Sequence, residues 1–377
     1  MSIAFPSERS GNLVRRDGPI VSEGLDVRGT RGANAATAAL LPELPDELQV
    51  EVTGACNLRC RMCLVRYVPA VSRQQGALSF EQFLDLVDSL PRIRKLTLQG
   101  LGEPLLSPHL VEMVRYAAHR GAAVGFNTNG VLLDASVAKQ LIAAGLSWLH
   151  VSLDGATAAT YQDVRHGPGW RPRPGQFDRV VGNLRALVAV RRSLGTERPR
   201  VQIVFVAMRR NIAELERLTE LAADIGVDGL FVQNLSHDFG DASPESRYRA
   251  LRHYVADESL FDGGSEFARA VFARAAGRAA ELGLPLRLPR LTEPTSTRPE
   301  GQPGCTWPWE SAYVTHRGEV QPCCMVMGSD RATLGNLNAA DFEQVWHDAP
   351  YARFRQQLLT DEPPSVCRGC SLYRGVF

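Results

Sequence analysis

The sequence predicts an α/β fold, in which a parallel sheet with helices on its outer side is followed by a small C-terminal module that carries cysteines. Six short apolar runs between residues 46 and 235 alternate with helical patterns, and this alternation is typical of a parallel sheet. Five of the eight cysteines lie beyond residue 304, whereas residues 64–304 contain none. These observations separate a sheet-forming region from a C-terminal region with a chemistry of its own.

The strands and helices of the first region follow one another in a regular order. The predicted strands are Leu48–Thr53, Arg94–Gln99, Ala122–Asn127, Ser147–Leu153, Val201–Ala207 and Gly229–Gln233. The helices begin with a capping box, in which Ser79 is followed by Gln82. The later helices are Pro108–His119, Asp134–Ala144, Phe177–Leu194 and Ile212–Ile225. Ligands bind at the carboxyl ends of the strands in such folds, so motifs that directly follow a strand are the functional candidates.

Four regions are expected along the chain. Residues 1–45 lack periodicity and are expected to form a weakly ordered leader. Residues 46–235 contain the strand–helix alternation, and residues 236–304 form a mainly helical insert that ends in a Pro- and Gly-rich linker. Residues 305–377 form the cysteine module.

Composition excludes several classes of function. The net charge is +1, which gives no electrostatic basis for binding nucleic acid. No apolar stretch reaches the roughly 18 residues that a membrane-spanning helix needs, so no membrane partner is expected. Residues 1–16 contain no apolar segment of a secretory signal, and the protein is therefore expected to be cytoplasmic. In that compartment the eight cysteines are not expected to form a disulfide framework.

The first thiol site directly follows the first predicted strand. Cys56, Cys60 and Cys63 have the spacing C-x3-C-x2-C, so one loop can wrap three thiolates around a soft metal centre. A closed structural zinc site needs four ligands, whereas a cluster held by three cysteines keeps one iron open for a substrate or cofactor. The alternative is a zinc site that borrows a distant histidine.

The sequence here resembles the radical S-adenosylmethionine (radical SAM) superfamily, whose hallmark is this cysteine motif after strand one. The resemblance implies a partial (βα)6 TIM-like barrel, with a 4Fe-4S cluster on the three cysteines and S-adenosyl-L-methionine at the open iron. Met62 stands where the family usually has an aromatic residue, which leaves a polarizable apolar contact to the adenine.

The motifs after the next strands agree with this resemblance. Gly102 and Glu103 belong to a Gly-Leu-Gly-Glu sequence similar to the family's Gly-Gly-Glu element. The glycine would let the backbone approach the ligand, and the carboxylate would receive the cofactor's ammonium. By resemblance, Ser152 would bind the ribose hydroxyls, Arg165 would pair with the methionyl carboxylate, and Asn127 is a further candidate for this cleft. One electron from the cluster would cleave the cofactor, and the resulting 5′-deoxyadenosyl radical would abstract a substrate hydrogen.

The second thiol site lies in the C-terminal module. Four thiols can close around one metal centre there, and a zinc ribbon is the alternative on spacing alone. Beside a radical SAM barrel the pattern resembles the SPASM and Twitch extensions, which implies an iron–sulfur (Twitch-like) module with one auxiliary 4Fe-4S cluster. Its ligands would be Cys305, Cys323, Cys367 and Cys370. Spacing does not decide between Cys323 and Cys324, although the G-x4-C register favours Cys323. The spare thiol of Cys324 would be structural or, as in radical epimerases, a hydrogen-atom donor.

The resemblance implies an enzyme, and its main expected reaction is dehydrogenation or epimerisation of a sugar or aminocyclitol in natural-product biosynthesis. This expectation rests on the dehydrogenases and epimerases found among single-cluster Twitch enzymes. An electron donor such as flavodoxin or ferredoxin would be the protein partner. The first alternative is modification of a ribosomally made peptide, which loses ground because no leader-binding domain is recognisable before the barrel and a second SPASM cluster is missing. The alternative from another class is a non-catalytic zinc-binding protein.

Overall fold

The computed structural model describes residues 41–67, 76–166, 174–243, 246–260, 266–292 and 303–377. Most of the predicted leader, residues 1–40, lies outside the described residues, and so does most of the predicted linker, residues 293–302. The strands are β1 (Glu47–Val50), β2 (Lys95–Thr97), β3 (Ala123–Thr128), β4 (Trp148–Ser152), β5 (Arg200–Val206), β6 (Gly229–Gln233), β7 (Leu286–Arg287), β8 (Ser311–Val314), β9 (Glu319–Gln321) and β10 (Gly335–Asn336).

Within the described residues these strands form one sheet in the order β10-β9-β8-β1-β2-β3-β4-β5-β6-β7. The strands from β8 to β7 in this order are mutually parallel, and the β8–β9–β10 end is antiparallel. The predicted α/β fold is confirmed, because β1 to β6 are the six predicted strands in sequence order. The sheet extends further than predicted, since β7 is added beside β6 and β8 of the C-terminal module is added beside β1.

The helices alternate with the strands as far as β6. They are Leu64–Tyr67, Phe80–Asp88, Leu110–His119, Ala135–Ala143, Ala158–His166, Gln176–Ser193, Leu215–Ile225, Arg249–Glu258, Glu266–Leu282, Trp307–Glu310, Phe342–His347, Ala349–Leu358 and Ser365–Arg368. The capping box at Ser79 and Gln82 is present, with both reciprocal hydrogen bonds formed. None of the helices in the described ranges is long and apolar enough to cross a membrane.

The two faces of the sheet differ in polarity, because successive side chains of a strand point to opposite sides. The helix-covered face consists of fully buried apolar residues, which include Leu48, Val50, Leu96, Val124, Phe126, Leu149, Val151, Ile203, Leu230 and Val232. The inner face combines half-buried polar residues with apolar ones such as Val204 and Phe231; the polar residues include Thr97, Asn127, His150, Ser152, Gln202 and Gln233. A hydrophobic layer therefore stabilises the outside of the partial barrel, while its inner face is available to ligands.

Candidate active site

The three-cysteine loop begins six residues after β1 and is closed by its own backbone. The Cys63 N–H donates to the carbonyl of Cys60 at 3.1 Å, and the Arg61 N–H donates to the carbonyl of Val164 at 2.9 Å. Burial and then the neighbouring thiols raise the pKa of Cys56, and the same causes raise the pKa of Cys63 to about 12. The three thiols are therefore close enough to influence one another, and their thiolate forms need a positive partner.

The donor set of this loop fits an iron–sulfur cluster, because thiolates are the ligands that such clusters use. Each cysteine that holds a 4Fe-4S cluster binds a different iron, so the cysteine Sγ atoms need not converge on one point. Consistent with that, no group of three or more His, Cys, Asp and Glu side chains in the described ranges is placed to hold a single metal ion.

The Gly-Leu-Gly-Glu loop after β2 packs directly against the backbone that leads into the cysteine loop. A Cβ atom on Gly102 would lie 2.1 Å from the carbonyl oxygen of Thr53 and 2.7 Å from that of Ala55. The Glu103 N–H donates to the carbonyl of Ala55 at 2.8 Å. A side chain at position 102 would separate these two loops, so the glycine sets how closely they approach.

The carboxylate of Glu103 is buried and connects this loop to the end of β3. It accepts hydrogen bonds from the Thr128 hydroxyl at 2.6 Å and from the backbone N–H groups of Asn129 at 2.8 Å and Leu105 at 3.2 Å. Burial raises the pKa of Glu103, although these donors oppose the shift. A carboxylate has about four acceptor positions, so three protein donors leave one for a ligand ammonium.

Arg165 lies in the helix Ala158–His166, buried beside the cysteine loop. Its Nη2 is 2.6 Å from Asp154 Oδ2, and its Nη1 is 3.7 Å from Cys60 Sγ. Burial opposes the charge of the guanidinium, but Asp154 and Cys60 together raise the pKa of Arg165. The Nε of Arg165 is buried and has no hydrogen-bond partner among the residues that the structure describes. Asp154, which follows the fourth predicted strand, received no role of its own in the sequence prediction.

The remaining predicted cofactor residues lie around the same edge of the sheet. Ser152 is the last residue of β4, and Met62, within the cysteine loop itself, is half buried and packs against the main hydrophobic core. Asn127 lies on the inner face of β3, opposite His150 in the strand register. A different residue, Asn129, contacts the cysteine loop, since its Nδ2 donates to Asn57 Oδ1 at 2.7 Å. The sequence carried no signal for this contact beyond an Asn-Gly turn.

The second thiol site brings together cysteines from three separate segments of the C-terminal module. Cys323 is half buried, and desolvation followed by the four thiols of Cys324, Cys370, Cys305 and Cys367 raises its pKa. Burial and then the thiols of Cys370 and Cys305 raise the pKa of Cys324 to about 12, so fewer thiols contribute to this shift than to that of Cys323. The five thiols form a donor set that suits an iron–sulfur cluster, and the choice of Cys323 rather than Cys324 as the ligand stays a prediction.

The loop that follows β6 encloses this second site. His237 pairs in an isolated antiparallel bridge with Cys370, and its ring lies 2.6 Å from the carbonyl of Val366 and accepts the Phe239 N–H at 2.7 Å. Arg331 forms a buried ion pair with Asp241 at 2.5 Å. The C-terminal cysteine pair is therefore held by the end of the barrel sheet as well as by its own module.

Two protein families match the two regions that carry the thiol sites. Residues 50–222 match the family described as the Radical SAM superfamily, and residues 305–371 match SPASM, an iron–sulfur cluster-binding domain. The chain therefore contains a radical SAM domain followed by a SPASM domain. A radical SAM domain implies a 4Fe-4S cluster and S-adenosyl-L-methionine, and a SPASM domain implies an auxiliary iron–sulfur centre, so the expected cofactors are confirmed. A non-catalytic zinc-binding protein is not supported.

Individual known proteins are similar to this chain over between half and most of its length. The tungsten-containing aldehyde ferredoxin oxidoreductase cofactor-modifying protein of Pyrococcus furiosus is 25% identical, over 86% of this chain and 87% of its own. The mycofactocin maturase MftC of Mycobacterium tuberculosis is 35% identical over 49% of this chain and 43% of its own. The crystal structure of Streptococcus suis SuiB bound to precursor peptide SuiA has a TM-score of 0.64 at 16% identity, and the match covers 91% of this chain and 73% of SuiB.

These similarities correct the main functional expectation from the sequence. A sugar or aminocyclitol substrate is not supported, because the similar proteins are named for cofactor modification and maturation, and the SuiB structure contains a peptide. The sugar or aminocyclitol expectation rested on the number of cysteines. That number bears on the cluster ligands and carries no information about the substrate. The peptide alternative fits the similar proteins better.

Proposed function

We propose that this radical SAM enzyme modifies a peptide by abstracting one of its hydrogen atoms. The observation that carries the proposal is the inner face of the sheet, which continues well beyond the residues expected to hold the cofactor. The likeness in fold between this chain and SuiB bound to a precursor peptide supports a peptide as the substrate.

The inner face offers a row of residues along the hydrogen-bonding direction of the sheet. Ser152, Val204, Phe231 and Arg287 are successive partners in the register of β4 to β7. Adjacent strands are about 4.8 Å apart, so Arg287 lies about 14 Å along the sheet from the residue expected to contact the ribose. That length corresponds to about four residues of extended peptide at about 3.4 Å each.

The far end of this row combines an apolar surface with a cation. The guanidinium of Arg287 lies 4.5 Å from the centre of the Phe231 ring, and Phe377 packs edge-on against the same ring at 6.0 Å. Burial lowers the pKa of Arg287, and no carboxylate forms an ion pair with it in the described part of the chain. An acidic group of the peptide would be stabilised here, with an adjacent apolar side chain on Phe231.

The two thiol sites would divide the chemistry between them. Cys56, Cys60 and Cys63 would hold the cluster, which when bound supplies the electron that cleaves S-adenosyl-L-methionine. Ser152 and Arg165 would bind the ribose and the carboxylate of that cofactor. The C-terminal thiols would hold one auxiliary cluster, and a flavodoxin or ferredoxin would be the electron donor.

The test follows deuterium from labelled peptides into 5′-deoxyadenosine, with anaerobically purified protein. Peptides encoded near this gene are the substrates, and versions in which an acidic residue is replaced by its amide are the matched controls. Deuterium in 5′-deoxyadenosine together with a mass change in the peptide supports the proposal. Transfer only from a small organic cofactor would instead assign this chain the chemistry for which the Pyrococcus relative is named, and would refute the peptide proposal.

A further inference from the structure

A buried carboxylate links the cofactor side of the barrel to the C-terminal module. Glu51 directly follows β1 and is only 4% exposed. The N–H of Leu101 donates to its Oε2 at 2.7 Å, and the hydroxyl of Tyr313 donates to the same oxygen at 2.9 Å. His316 Nδ1 lies 2.6 Å from Oε1, and this nitrogen must carry a proton because an ionised carboxylate only accepts hydrogen bonds.

The three donors come from two regions that are distant in the sequence. Leu101 belongs to the Gly-Leu-Gly-Glu loop, which packs on the cysteine loop. Tyr313 lies on β8 and His316 in the turn between β8 and β9, the hairpin that leads to Cys323. They are 50, 262 and 265 residues from Glu51 in the chain.

Packing leaves this carboxylate no alternative position. A Cβ atom on Gly100 would lie 2.1 Å from Glu51 Cγ, so the cofactor loop fits over the side chain only because residue 100 is a glycine. The hairpin is fixed from the other side, because the Glu51 N–H donates to the carbonyl of Val314 at 2.8 Å. Glu51 thus contacts the hairpin with its backbone and its side chain, and the cofactor loop with its side chain.

We propose that Glu51 is a positioning residue that fixes the cofactor loop relative to the auxiliary-cluster hairpin, so that S-adenosyl-L-methionine is bound in one position with respect to the second thiol site. Hydrogen bonds to an ionised acceptor are stronger than neutral ones, and two of these three are with residues of the hairpin. A change in the hairpin side chains that share this carboxylate, Tyr313 and His316, is therefore transmitted to the cofactor side, whereas a change elsewhere in the hairpin is not. The inference does not depend on which substrate the enzyme modifies.

The decisive variant is Tyr313→Phe, because Tyr313 donates no hydrogen bond to the cofactor loop and yet shares the carboxylate with it. Two properties are measured without any substrate. The first is the dissociation constant of S-adenosyl-L-methionine for the cluster-loaded protein, and the second is hydrogen exchange of the segment around Leu101 in metal-free protein. We expect the dissociation constant to rise about fivefold and exchange around Leu101 to become faster.

Two further variants complete the experiment. Glu51→Gln replaces one acceptor oxygen by an NH2 group and so opposes at least one of the three donors, and we expect it to raise the dissociation constant about tenfold. Thr315→Val is the matched control, because the Thr315 hydroxyl bonds to Glu319 within the hairpin at 3.2 Å. It should loosen the hairpin and leave cofactor affinity at the wild-type value.

The outcomes distinguish a positioning role from a local structural one. The criterion is whether a change of Tyr313 in the hairpin alters the dissociation constant of the cofactor and hydrogen exchange around Leu101. If Tyr313→Phe changes exchange only in the hairpin and leaves the dissociation constant unchanged, the proposal is overturned. It is equally overturned if Thr315→Val weakens cofactor binding as much as Tyr313→Phe does. Tyr313→Phe is nearly isosteric, so it decides the question even where Glu51→Gln does not fold.

Discussion

Replacement of Asp154 by asparagine tests whether a buried ion pair places Arg165 beside the cysteine loop. Asp154 is fully buried and Arg165 is 6% exposed, and their charged atoms are 2.6 Å apart. Removing one partner of such a pair costs about 3–5 kcal/mol, because the other charge stays buried without compensation. Asparagine can still accept the hydrogen bond that Val206 N–H donates to Asp154 at 2.8 Å, so we expect the lower end, about 3 kcal/mol.

Two measurements follow from this reasoning. Urea unfolding of the metal-free protein should report the loss of stability, because the pair is formed without a cofactor. The affinity of the cluster-loaded protein for S-adenosyl-L-methionine should fall at least about tenfold, since Arg165 loses the group that orients it toward Cys60. The first measurement concerns the pair itself, and the second concerns its effect on the cofactor.

The matched control is Asp224→Asn, which makes the same chemical change in an exposed pair. Arg185 and Asp224 are 55% and 66% exposed, and such pairs contribute about 0–1 kcal/mol. If Asp154→Asn costs no more than this control and leaves cofactor affinity unchanged, the ion pair does not position Arg165, and the reasoning is refuted.

The remaining predictions concern the clusters, pH and the substrate. Cys60→Ala should lower the iron content by about four atoms per chain and abolish formation of 5′-deoxyadenosine, and a variant that retains both would contradict the assignment of the first site. Cys323→Ser should likewise lose about four irons, whereas Cys324→Ser should keep them; the reverse result in iron analysis would exchange the two roles. Burial and then Lys95 lower the pKa of His150 to about 4, so the folded state resists protonation that the unfolded state accepts near pH 6.5. Stability should therefore be complete above pH 6.5 and decrease by at most about 3 kcal/mol as the pH falls to 4, and His150→Gln should flatten this dependence in urea unfolding. Arg287→Gln should raise the KM for an acidic peptide about tenfold without changing cofactor affinity, and an equal effect on the amide-substituted peptide would argue against a contact with the acid.

The parts of the fold that were predictable are those whose signal is local. The capping box at Ser79 and the strand Gly229–Gln233 are present as predicted, and the other boundaries shift by a few residues. The helix Ala158–His166 was missed because its sequence is weakly amphipathic and mostly polar. Strand β8 was missed for another reason: it pairs with β1 across more than 260 residues, and no local pattern encodes such a partner.

In the candidate site, too, the residues with a local sequence signal were predictable and those that depend on distant partners were not. Cysteine spacing is a short-range property, and it correctly indicated which thiols would lie together. Asp154 and Asn129 act through partners in other segments, and as isolated residues both are typical of turns. Glu51 carried even less signal, because an acidic residue at the end of a strand is ordinary until its three donors are known.

Parallel pairing of β8 with β1 also explains how two thiol sites from opposite ends of the sequence are brought to the same edge of the sheet. The cysteine loop follows β1, and the hairpin to Cys323 follows β8, so both leave the sheet at the carboxyl ends of neighbouring strands. The distance between the two sites is thus set by one hydrogen-bonded ladder and by the Glu51 carboxylate. It does not depend on the length of the chain that connects barrel and module, because the sheet holds both ends.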